Sequence, residues 1–128
     1  MREGLSVSEP TPKGKIQHFT DLIVCQDAHA LVLHVYNLID SFPDREKDAL
    51  VQQFIRAAVS IPANIAEGFR RRSIPEKLRF YNIAQALLAE VTYFFILAKD
   101  LGYIDSDSRD QINQLDAKLT RLTQSIQS

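Results

Sequence analysis

The groups from which this chain could build chemistry are its histidines, its one cysteine and a band of polar side chains in its middle third. His29 and His34 stand five residues apart, which turns them away from each other around a helix; two imidazoles that share a metal ion are usually four apart. No metal or other cofactor is expected from this pattern. His29 falls among apolar residues, where a neutral, hydrogen-bonded imidazole of the interior or of an interface is the expected role. No glycine-rich phosphate loop, nucleophile elbow or His/Cys/carboxylate cluster is present, so the chain reads as a non-enzyme. A hydrolase using Glu67 or Glu90 as base would lack both nucleophile and metal.

Gln53, Arg56, Ser60, Asn64 and Glu67 recur at spacings of three, four, four and three, which lines them up on one face of a helix. Facing water, they are an ordinary solvated face. Facing another backbone, as the neighbouring Ala57, Ala58, Ala63 and Ala66 would permit, they would be desolvated and would have to bond to one another or to a partner. Arg56 and Glu67 are three turns apart, too far for a direct pair, so Glu90 is the expected carboxylate for Arg56. In that buried arrangement, Arg56→Ala would cost about 3 to 5 kcal/mol.

Just after this stripe, Arg70, Arg71, Arg72, Lys77 and Arg79 face only Glu67 and Glu76, a local charge of +3 in a chain whose net charge is −1. With no attraction from the whole molecule toward nucleic acid, any such contact must be local, and this cluster is where it would be. Repeated around an oligomer it would form a ring able to neutralise several phosphates. Tyr93, Phe94 and Phe95 could stack on bases, but their spacing suits helix packing better.

Four helices would position these groups. The first spans about 21–41, capped by Thr20, and carries two apolar seams: Leu22, Cys25, His29, Val32, Tyr36, Ile39 and Val24, Ala28, Leu31, Val35, Leu38, Phe42. Two seams are expected to need covering twice, by a wide central contact within the bundle or by burial against another subunit. Phe42-Pro43 ends that helix and Asp44 opens the second, about 44–70, kinked near Pro62 and ended or frayed by Gly68 with the run Phe69 to Arg72. Ser73 and Glu76 have the capping-box spacing for a third helix over 74–101, with Gly102 as a left-handed C-terminal cap. Asp105 would cap a fourth, 106–126, with the narrow stripe Ile112, Leu115, Leu119, Leu122, Ile126. Short connections make the fold all-α, an antiparallel up-down-up-down four-helix bundle over 20–128.

Composition agrees with one such domain: 128 residues, 45% hydrophobic and 24% charged. Residues 1–19, with Pro10, Pro12 and two glycines, read as a flexible tail without a signal peptide. The apolar stretch 22–42 is broken by Asp27, His29, His34, Asn37 and Asp40, so no membrane span is expected there. Cys25 is the single cysteine, which excludes an internal disulfide and suits a cytoplasmic, reducing setting.

The residues Phe19-Thr20-Asp21-Leu22, Phe42-Pro43, Arg56-Ala57-Ala58, Ser60-Ile61-Pro62 and Asn64-Ile65-Ala66-Glu67-Gly68 together resemble the bacterial four-helix-bundle family of proteins encoded by intervening sequences in large-subunit ribosomal RNA genes. The similarity runs from Phe19 to the C-terminus. Departures are Cys25 at a usual Trp, Gln85-Ala86 for Gly-Ser, and a slightly acidic net charge. Relatives include accessory variability proteins of diversity-generating retroelements, barrel-like pentamers that bind reverse transcriptase and nucleic acid. The resemblance implies a homopentamer that contacts structured RNA, DNA or a nucleic-acid-handling enzyme such as a reverse transcriptase. The alternative is an assembly scaffold with protein partners only.

Overall fold

The computed structural model describes residues 16–127, and most of the expected N-terminal tail lies outside them. All regular structure among the described residues is helical: α1 (Ile23–Leu38), α2 (Leu50–Arg70), α3 (Ile74–Asp100) and α4 (Arg109–Gln127), with single 3-10 turns at Phe19–Asp21, Ile39–Ser41 and Asp44–Glu46. The fold is all-α with four helices. Each helix packs against its successor and α1 also packs against α4, an order compatible with an up-down-up-down bundle.

The ends of the helices show which local signals won. Before α1 the chain makes a 3-10 turn held by His18 in place of Thr20. The His18 ring accepts from the Thr20 N–H at 3.3 Å, and the Asp21 carboxylate accepts from the Gln17 and His18 N–H groups at 3.0 and 3.1 Å. The run Asp44–Glu46 is also a 3-10 turn and not the first turn of α2. Its side chains are committed elsewhere: Arg45 donates to the Tyr103 hydroxyl at 3.1 Å, and that hydroxyl donates to Glu46 at 2.8 Å. α2 continues unbroken through Pro62, with Ser60 Oγ donating to the Arg56 carbonyl and Asn64 Nδ2 to the Ser60 carbonyl, both at 2.8 Å.

Gly68 does not end α2. It lies inside the helix, where a Cβ would sit 2.6 Å from Tyr81 Cε1 and 3.2 Å from Phe80 Cβ, so its service is close approach to α3. Ser73 caps α3 by accepting from the Glu76 N–H at 3.3 Å. Gly102, at φ +81°, closes it: the Tyr103 N–H reaches the Ala98 carbonyl and the Gly102 N–H the Lys99 carbonyl, both at 2.9 Å. Asp105 is exposed and caps nothing. α4 begins three residues later than expected, with Ser108 at φ +55° accepting the first intrahelical bond from Ile112 at 3.1 Å.

Phe54 of α2 is the hub of the core, with no exposed surface and its ring centroid 4.9 Å from Phe95, 5.7 Å from Phe94 and 6.1 Å from Phe42. Of the two covers expected for the second seam of α1, the wide central contact is the one found, and the cover by another subunit is not needed there. Val24, Ala28, Leu31, Val35 and Phe42 are buried as the core face, yet Cys25 and Val32 of the other seam are buried too, and only Tyr36 there is well exposed, at 48%. One chain covers both flanks because α2 and α4 both pack on α1. Burial pushes the Cys25 thiol up to about 11, so it stays an uncharged packing group.

α4 is attached more lightly. Ile112, Leu115 and Leu119 are its buried residues. Polar ties hold it to the others: Gln85 to Asp116 and Thr120 at 3.1 Å each, Lys118 to Asp27, and His34 Nε2 to Ser108 Oγ at 2.8 Å.

Candidate nucleic-acid interface

The five basic residues all lie where α2 hands over to α3. Arg70 is the last residue of α2, Arg71 its C-cap, Arg72 sits in the connection, and Lys77 and Arg79 lie in the first two turns of α3. The turn is tight because Gly68 draws α2 against Tyr81 and Ser73 starts α3 at once, so the cations share one corner.

They do not share one role. The Lys77 ammonium donates to the Phe69 carbonyl at 2.9 Å and the Gly68 carbonyl at 3.3 Å, and lies 5.7 Å from the Phe69 ring centroid. It caps the negative end of α2, so its charge is spent on the fold. Arg71 is ion-paired with Glu67, and its guanidinium lies over the Phe80 ring, 5.0 Å from the centroid. Its Nε is buried without a hydrogen-bond partner. Arg79 approaches the same ring at 5.5 Å. Arg70, Arg72 and Arg79 are exposed. The corner thus presents three exposed arginines, of which Arg79 lies beside the half-buried Phe80 ring that Arg71 also covers, an arrangement able to meet phosphates. The sequence places Phe69 and Phe80 beside the basic run, but not the approach of Arg71 and Arg79 to the Phe80 ring, which depends on how α2 meets α3.

The polar stripe of α2 takes no part in this corner apart from Glu67. Gln53 and Arg56 are exposed, Ser60 and Asn64 bond to their own helix, and Glu90 is exposed on α3. No fully buried polar or charged residue occurs among those described, and the ion pairs there are Arg71–Glu67, Arg109–Asp107 and Lys118–Asp27. Within one chain the expected Arg56–Glu90 pair is therefore absent: the alanines beside the stripe, Ala57 and Ala58, turn inward and leave its own members outward. No group of three or more His, Cys, Asp or Glu among the described residues could hold a metal ion. His29 and His34 lie on opposite flanks of α1: His29 lines a cavity against α2, whereas His34 stacks near Phe95 at 5.8 Å and bonds to Ser108. The His34 tie, 74 residues long in sequence, had no local signal.

Fold and corner together define a small helical-bundle protein with a basic, aromatic-backed junction between its two longest helices. The sequence matches the 23S rRNA-intervening sequence protein family over residues 20–128, and the chain belongs to that family. A solved structure of a protein of unknown function, from the S23 ribosomal protein family of Bacteroides thetaiotaomicron VPI-5482, is similar in fold. It superposes with a TM-score of 0.58 at 24% identity, over 79% of this chain and 92% of that one. No curated protein matches the sequence.

Proposed function

We propose that this protein is a non-enzymatic, self-associating helical bundle of the cytoplasm whose α2–α3 corner contacts structured RNA. The observation that carries the reading is the corner itself: Arg70, Arg72 and Arg79 are exposed, Arg79 beside the Phe80 ring, and neither the Lys77 cap nor the Arg71–Glu67 pair consumes them. The family's description, which places its members' genes in 23S rRNA intervening sequences, supports RNA as the class of partner. DNA or a nucleic-acid-handling enzyme such as a reverse transcriptase would meet the same charges.

Support for self-association moves from α1 to α3. This 27-residue helix is the one described helix long and apolar enough to cross a membrane, yet only 33% of its most apolar window is buried in the chain. Ile83 and Tyr93 are exposed along it, Tyr93 at 56%, as is Leu101 at its C-cap. Large apolar side chains left open between the polar positions of a long helix are the kind of surface that a partner covers. A second copy of the chain supplies the missing cover, and a homopentamer, the assembly implied by the family resemblance, would bring five arginine corners together.

The test is electrophoretic or filter binding to a structured ribosomal RNA fragment across a salt series. Replacing Arg70, Arg72 and Arg79 by Ala should weaken binding and flatten the salt slope by about one unit per arginine. Lys77→Met should lower stability and leave RNA affinity nearly intact. Unchanged affinity and slope in the triple variant would overturn the reading, and no mobility shift for the parent protein at near-physiological salt would favour the protein-only scaffold.

A further inference from the structure

One turn back along α2 from Arg70, a cleft of about 230 Å³ opens between the turn at Phe19–Thr20, Cys25 and His29 of α1, and Pro62, Ala63 and Ala66 of α2. Its size comes from its lining: a cysteine, a proline and two alanines stand where larger side chains would fill the space between two packed helices. Carbon dominates the walls, which include Phe19. The buried Cys25 thiol, held protonated, adds no charge. The cleft is open to solvent on one side, and its volume has room for a bicyclic ring with one edge at the mouth.

One polar group in it is unspent. His29 is half-buried, and no hydrogen bond among the described residues engages its imidazole. His18 and His34, by contrast, bond to Thr20 and Ser108. An imidazole left unpaired at the edge of an apolar cleft favours a ligand that brings one hydrogen-bonding group and otherwise only apolar surface.

We propose that this cleft binds a small planar aromatic molecule carrying a single hydrogen-bonding group, of the indole class, with the ring against Phe19, Pro62 and Ala66 and the polar group on His29. This site is separate from the arginine corner and does not depend on RNA binding.

The chain contains no Trp, so the fluorescence of added indole reports its own uptake without an indole background from the protein. Indole titrated into the full-length protein should show saturable uptake and raise the thermal midpoint, as any ligand selective for the folded state must. Benzofuran, which matches indole in shape but lacks its N–H, should bind about tenfold more weakly, the scale of one hydrogen bond. His29→Leu should abolish that preference. Ala66→Leu should fill the cleft and abolish uptake of both, with Ala63→Leu as a second filling variant if the first fails to fold. No saturable indole uptake by the parent protein, or equal uptake by a folded filling variant, would overturn the proposal. An indole preference that survives His29→Leu would overturn the role of the imidazole.

Discussion

α2 carries two faces of opposite character along the same 21 residues. The inward face, Phe54, Ala57, Ala58, Ile61, Ile65 and Gly68, is buried throughout. The stripe Gln53, Arg56, Ser60, Asn64, Glu67 has the same helical regularity but lies at the rim of the bundle, bonded to its own backbone or to the next turn. Both faces are periodic, so periodicity cannot rank them. What separates them is desolvation: the first face removes carbon from water, whereas the second keeps its polar groups hydrated and so gains and loses little.

Substitutions along α2 break or sharpen that contrast. Phe54→Ala should cost about 3 to 5 kcal/mol, read as a lower denaturant midpoint, because it empties the space shared by Phe42, Phe94 and Phe95. A loss below about 1.5 kcal/mol, the scale of a tolerated core swap, would mean that Phe54 is not the hub. Gly68→Ala should cost about 1 to 3 kcal/mol through overpacking, outweighing a helix-propensity gain of about 1. The reason is that Tyr81, only 2% exposed, has little room to retreat from a Cβ 2.6 Å away. Introducing Tyr81→Leu in the same chain should recover part of the loss, and a Gly68→Ala chain more stable than the parent would show that α2 and α3 can separate freely. Arg56→Ala should move stability by no more than about 0.5 kcal/mol, as at ordinary surface positions. A larger loss that grows with protein concentration would show that a second copy covers the stripe.

The same contrast accounts for what could be read from residue order. The fourth helix's stripe and the caps at Ser73 and Gly102 are local patterns, and each appears where expected because the atoms that make it are within a few residues. The starts of α2 and α4 are misplaced for a stated reason. Side chains in those segments bond to distant partners, Glu46 with Tyr103 and Ser108 with His34, and such bonds outrank the local capping signal. Gly68 looked like a helix terminus because glycine serves both to end helices and to admit a neighbouring helix, and only the position of Tyr81 distinguishes the two. The candidate corner was legible as a charge cluster, but its division of labour was not. Lys77 and Arg79 are two residues apart, and one caps α2 while the other faces solvent.

Residue order by itself determined that the chain is four helices, the apolar stripe of the fourth, and the concentration of positive charge at one junction, because these follow from spacing, caps and counting. The packed chain alone decided that both flanks of α1 are covered from within, that the stripe on α2 stays wet, that α3 keeps apolar surface in the open, and that three of five cations remain free. Those outcomes depend on which surfaces meet across tens of residues, and the distance between helices that sets them is fixed by the sizes of side chains on both sides of each contact.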